Sequence, residues 1–243
     1  MHYKKLIERK KYFLESNFFQ KQNLQFIESD DKEEIEWVNN ETSANKQVEN
    51  WQKLLPSIIP ILMFNAGLSS SIEEINLISD KQQILDWMKP RRLKESEISL
   101  IFKHHTALLL AAASKDPTFI LEDDALEKED TIERIETIYM YFKKNKVSYL
   151  DIAGGCNLPR IDSEKANEIG ICNLVKPRSR TTAGYLVAPN CAKIMAMNLF
   201  PNSLPLDWLY QYIFLNHNFK VSWCIPELFE HGSQNKYKSS IQK

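Results

Sequence analysis

The sequence predicts an α/β protein with a mixed sheet flanked by helices. Short apolar runs of strand length alternate with amphipathic stretches at helical spacing. Of 243 residues, 43% are hydrophobic and 26% charged, the balance of a chain that buries a core. No apolar run reaches the roughly 20 residues that a membrane-spanning helix needs.

The elements follow in order. Tyr3 to Ser16 has helical spacing of Leu6, Tyr12, Phe13 and Leu14 among Lys and Glu. Leu24–Ile27 is short, apolar and closed by Ser29-Asp30-Asp31, which suits a strand and turn. Positions 31–90 read as a helical or loop region: a charge-rich stretch to Gln52, a proline-broken apolar segment to Phe64, a loop at Gly67–Ser71 and a helix over Ile72–Met88. Helices are expected over Lys94–Ser114, Ile132–Phe142, Asn190–Asn198 and Leu206–Asn216. Strands are expected at Thr118–Leu121, Val147–Ile152, Ile171–Val175, Ala183–Val187 and Val221–Ile225.

Composition narrows the function classes. Lys and Arg number 31 against 32 acids, so the chain lacks the overall basic footprint of a general nucleic-acid binder. Cys156, Cys172, Cys191 and Cys224 form no CxxC or CxxH pair, which excludes tight zinc or redox spacing and suits free thiols in a reducing cytoplasm. No signal-peptide pattern opens the sequence, so a cytoplasmic location is expected, with peripheral membrane contact open. Neither GxGxxG nor GxxxxGK[ST] occurs.

The most informative segment is Thr118-Phe-Ile-Leu121 followed by Glu122-Asp123-Asp124. Two carboxylates about 4 Å apart repel by roughly 4 kcal/mol at an effective dielectric near 20. Three in succession at a strand end therefore need neutralising. In extended backbone Glu122 and Asp124 face the same side and Asp123 the other. That geometry suits a divalent cation held by the outer two, Mg or Mn by the hardness of the oxygens. A polar loop with an aspartate capping a helix accounts for the same residues without a metal.

Phe119-Ile-Leu-Glu-Asp-Asp124 resembles the acidic motif of glycosyltransferase family 25, which includes lipopolysaccharide-type and collagen galactosyltransferases. Further pieces fall in the family's order: Glu97-Ile-Ser-Leu-Ile-Phe-Lys-His104, Thr181-Thr-Ala-Gly-Tyr-Leu-Val187, Leu204-Pro-Leu-Asp-Trp208, and Pro226 with the Ser239-Ser-Ile241 tail. The likeness runs from Leu93 to Ile241 within a single domain over 1–243. Two departures stand out. Lys103 occupies the position before the helix histidine where the family has Ser. Only Met1 and His2 precede Tyr3–Arg9, which resembles the helix after the family's first strand, so a truncated first strand is expected.

The resemblance implies a GT-A-like, nucleotide-sugar-binding fold and inverting transfer of a hexose, commonly galactose from UDP-galactose, to a glycan or glycolipid hydroxyl. It implies Asp124 and Glu122 as ligands of a Mn or Mg ion, His231 as a third, and Asp123 as partner of the donor's ribose or sugar. Gly184 and Tyr185 fall in a donor-side motif. Arg178 and Arg180 are candidates to clamp phosphate or an acidic acceptor, since guanidinium meets such oxygens in bidentate fashion, with plain surface placement as the competing account. The best candidate for the base that takes the acceptor proton is Asp207, for which a helix-capping role is the stronger competing account, with Glu230 as the alternative. Of His104 and His105, one is expected to be packed in the core. Lys236 and Lys238 are candidates for a lid over the diphosphate. An inactive relative that binds a glycan or partner, and a metal-dependent phosphate-ester hydrolase, are the competing classes.

Overall fold

A computed structural model describes residues 1–35, 46, 48–54, 89, 91–155, 164–175, 177–200 and 204–232. The helix expected over 72–88, the loop at 67–71, most of the apolar segment to Phe64 and the tail beyond Gly232, with Lys236 and Lys238, lie outside these residues.

The described helices include α1 (Ile7–Glu15), α2 (Glu95–Ala113), α3 (Thr131–Lys144), α4 (Pro189–Asn198) and α5 (Leu206–Asn216), with a 3₁₀ turn at Phe19–Lys21. The strands are β1 (Thr118–Leu121), β2 (Ala125–Glu127), β3 (Tyr149–Asp151), β4 (Ile171–Asn173), β5 (Gly184–Val187), β6 (Val221–Cys224) and β7 (Phe229–His231). A five-stranded sheet runs in the order β1-β5-β3-β6-β4. Its β3–β6 pair is parallel and its other pairs are antiparallel, so the sheet is mixed as expected. β2 and β7 form a separate antiparallel pair.

Helices cover both faces. Along β3 and β5 the side chains alternate: Tyr149, Tyr185 and Val187 join a core with Ile101 and Leu108 of α2, Met195 of α4 and Phe214 of α5. Leu150 and Leu186 point the opposite way into a second core with Phe13 of α1, Phe19, and Ile138 and Phe142 of α3. Every residue of β3, β5 and β6 is buried, the pattern of strands covered on two sides. The helix ends have local causes. Glu97 reaches back to the Lys94 N–H at 2.7 Å and receives two hydrogen bonds from Arg91, which fixes the start of α2. Pro189 opens α4 at a position where no N–H is required.

One expectation changes, and two arrangements go beyond what the sequence showed. Leu24–Ile27 is extended but belongs to no strand. Met1 and His2 lie between that segment and β1: the Met1 amino group donates to the Leu121 carbonyl at 2.6 Å, and the His2 N–H to Ile27 at 3.0 Å. β2 and β7 were not expected at all. Among the described residues no helix is long and apolar enough to cross a membrane.

Candidate functional site

The acidic tip extends β1 past its last strand residue. The Glu122 N–H still donates to Ala183 at 2.8 Å, so Glu122 stays in line with the sheet, while the chain turns through Asp123 and Asp124 into β2. β2 pairs with β7 in the register Ala125↔His231, and the Gly232 N–H closes the ladder on the Asp124 carbonyl at 2.7 Å. This pairing carries His231 to the tip. Ligand atoms of Glu122, Asp124 and His231 all lie within 4.8 Å of one another, a three-ligand cluster fit for one metal ion. The donor set is two hard carboxylate oxygens and one imidazole nitrogen, which suits Mn better than Mg.

Electrostatics agree with that crowding. His231 Nε2 lies 3.3 Å from Asp124 Oδ2. Burial disfavours the imidazolium, but the hydrogen bond and charge of Asp124 outweigh it and raise the histidine's pKa. Glu122 receives the Thr182 hydroxyl at 2.6 Å on Oε1, with His104 Nε2 at 3.3 Å from the same oxygen. His104 is fully buried, and burial lowers its pKa despite the neighbouring Glu122.

Asp123, expected to meet the donor's ribose, is not part of the cluster, and its carboxylate is engaged within the protein. Its carboxylate accepts the Tyr3 N–H at 2.9 Å and Arg9 Nη1 at 2.6 Å, and lies 3.2 Å from His2 Nδ1. Burial opposes its charge, yet these contacts hold its pKa below the usual carboxylate value. Asp123 thus anchors α1 and the N-terminal residues to the tip. Lys103 does similar work on the far side: its ammonium contacts Asp31 at 2.6 Å and the carbonyls of Ser29 and His2 at 2.6 and 3.0 Å.

The expected phosphate clamps are internal ion pairs. Arg178 is completely buried against Glu164 in a two-bond fork at 3.1 and 2.6 Å. Arg180 bonds Asp151 at 2.7 Å and Glu227 at 2.9 Å. Both guanidiniums also lie over the Trp223 ring, at 4.7 and 4.8 Å. A guanidinium so occupied has no face to offer a diphosphate.

Gly184 and Tyr185 are likewise interior. A Cβ on Gly184 would stand 2.9 Å from Leu121 Cδ2 and 3.1 Å from Ala153 Cβ, so the glycine lets β1 and β3 close on β5. The Tyr185 hydroxyl meets His104 Nδ1 at 2.8 Å and the Tyr210 hydroxyl at 2.9 Å, behind Glu122.

The two candidate bases separate. Glu230 is the outward residue of β7, between inward Phe229 and His231, and points to solvent away from the cluster. Asp207 lies in the first turn of α5, partly buried, with Oδ1 accepting the Trp208 N–H at 3.0 Å. Burial, with added repulsion from Glu97 and Glu122, lifts its pKa to about 6.

Beside the tip is a cavity of about 360 Å³. Its walls include Phe13, Phe19, Phe26 and Leu121 together with Gln22, Asn23, Gln25 and Thr118, and Glu122 and Asp123 line it as well. A concave pocket in which apolar walls are joined by polar groups is the usual form of a small-molecule site. Comparison of the chain with protein-family models and with curated proteins finds no match in either.

Proposed function

We propose that the chain is a divalent-cation-dependent hexosyltransferase with a GT-A-like fold, moving a hexose from a UDP-sugar to an acceptor hydroxyl with inversion. The observation that carries this reading is the convergence of Glu122, Asp124 and His231 at the end of β1, next to an aromatic-walled cavity. The order of motifs resembling glycosyltransferase family 25 supports the same reading, with galactose as the expected hexose.

The residues would divide the work as follows. Glu122, Asp124 and His231 would hold Mn, and the cavity lined by Phe13, Phe19 and Phe26 would take the planar base. When bound, the cation would offset the negative charge that grows on the departing diphosphate. Asp207 takes the acceptor proton; a pKa of about 6 leaves it ionised at neutral pH yet more basic than an ordinary aspartate. Asp123 and Arg9 keep the tip aimed by tying it to α1.

The test is a screen of UDP-sugars, UDP-galactose first, with Mn and a panel of glycan acceptors, read by UDP release and product mass. UDP release that depends on acceptor and Mn supports the transferase. Phosphate release without acceptor points to a hydrolase, and thermal stabilisation by glycans but not by UDP with Mn points to a binding protein.

A further inference from the structure

We propose that His104 and Thr182 are positioning residues for the metal centre: both act on Oε1 of Glu122 and so turn Oε2 toward Asp124 and His231. This rests on the metal reading above.

The argument begins with donor and acceptor capacity. An ionised carboxylate only accepts. Thr182 Oγ1, at 2.6 Å, must therefore donate to Oε1, and His104 Nε2, at 3.3 Å, must carry the ring proton that faces it. With Nε2 protonated, Nδ1 of the neutral ring needs a donor. Two are present, the hydroxyls of Tyr185 at 2.8 Å and Tyr210 at 3.1 Å, themselves 2.9 Å apart. One tyrosine donates to Nδ1 and the other donates to that tyrosine, so every proton has an acceptor. Burial raises both phenol pKa values, so each stays a donor.

The arrangement also fixes the ring in space. His104 stacks on Tyr185, centroids 5.7 Å apart at 12°. The three groups come from α2, β5 and α5, so a glutamate at the end of β1 is oriented by three packed elements. Among the described residues no hydrogen bond goes to Glu122 Oε2, which leaves that oxygen for the cation. Contacts of this kind around a metal ligand typically set affinity by about 10–100-fold.

The experiment is calorimetric titration of Mn into the full chain and into Thr182→Val, His104→Phe, His104→Gln and Glu122→Gln, with each double variant on Glu122→Gln. About tenfold weaker Mn binding is expected in Thr182→Val and His104→Phe, with recovery in His104→Gln, whose amide nitrogen can still donate to Oε1. On the Glu122→Gln background neither substitution should weaken binding further, because both act through that carboxylate. Thr182→Val leaves the tyrosine pair intact and keeps the test readable should His104→Phe not fold. Wild-type affinity in Thr182→Val, or losses that add to that of Glu122→Gln, overturns the inference while the metal reading stands. No Mn binding by the wild-type chain overturns both.

Discussion

His231 Nε2 stands 3.3 Å from Asp124 Oδ2, held there by the short β2–β7 ladder in which Ala125 opposes His231. The ladder converts a distant part of the chain into a neighbour of the acidic tip. Asp124 raises the pKa of His231, and under the proposed function the same nitrogen would be the third ligand of the cation. Replacing His231 with Ala should weaken Mn binding by at least tenfold and abolish Mn-dependent thermal stabilisation, while Glu230→Ala, on the outward face of the same strand, should leave both unchanged.

Asp207 predicts a pH dependence of stability. Its folded pKa of about 6 lies above the ordinary 3.8, so the folded state holds the proton more tightly. Its contribution is fully present below about pH 4 and is lost as pH rises through about 6. Asp207→Asn removes that loss and should be more stable than wild type at pH 8 by about 1–3 kcal/mol, with little difference at pH 4. Denaturant melts at the two pH values check this. The same variant should lose transfer activity at least a hundredfold with donor KM nearly unchanged, the signature of a missing base.

The buried arginines should fail structurally, not kinetically. Arg180→Met leaves fully buried Asp151 without its guanidinium and should cost about 3–5 kcal/mol. Arg178→Met should behave alike through Glu164. Enzyme that still folds should keep the wild-type donor KM; a large rise in KM with unchanged melting would return these residues to the phosphate site.

Gly184 sets how closely β1 lies on β5. Gly184→Ala meets the end of the Leu121 side chain, which can turn, so a cost of about 1–2 kcal/mol is expected. Gly184→Val adds bulk against Ala153 and should prevent soluble expression. Thermal melts of the two variants test the order.

Much of this arrangement was legible in the sequence, for identifiable reasons. α5 coincides with the stretch read from spacing, because Pro205 and Asn216 mark its ends and apolar residues fill its length. Strand alternation predicts that Glu122 and Asp124 act together, but it is the turn after Leu121, with the Ala125 N–H on the Glu122 carbonyl at 3.2 Å, that brings them together. What was not legible depends on contacts between distant segments. β2 and β7 are three residues each, too short to show a period, and exist because they pair. Arg178 and Arg180 looked like ligands for phosphate because their partners, Glu164, Asp151 and Glu227, are scattered along the chain. Asp123 looked available for the same reason: Arg9 lies 114 residues earlier in the sequence. The Tyr210 hydroxyl behind His104 had no sequence signal beyond a tyrosine on a helix.

The most direct test of the metal centre is UDP binding by calorimetry, with and without Mn, in wild type and Asp124→Asn. The account predicts that the wild-type chain binds UDP in the presence of Mn, at least tenfold more weakly without it, and that Asp124→Asn loses the Mn dependence while melting within a few degrees of wild type. UDP binding that is indifferent to Mn, or equally Mn-dependent in Asp124→Asn, would contradict it.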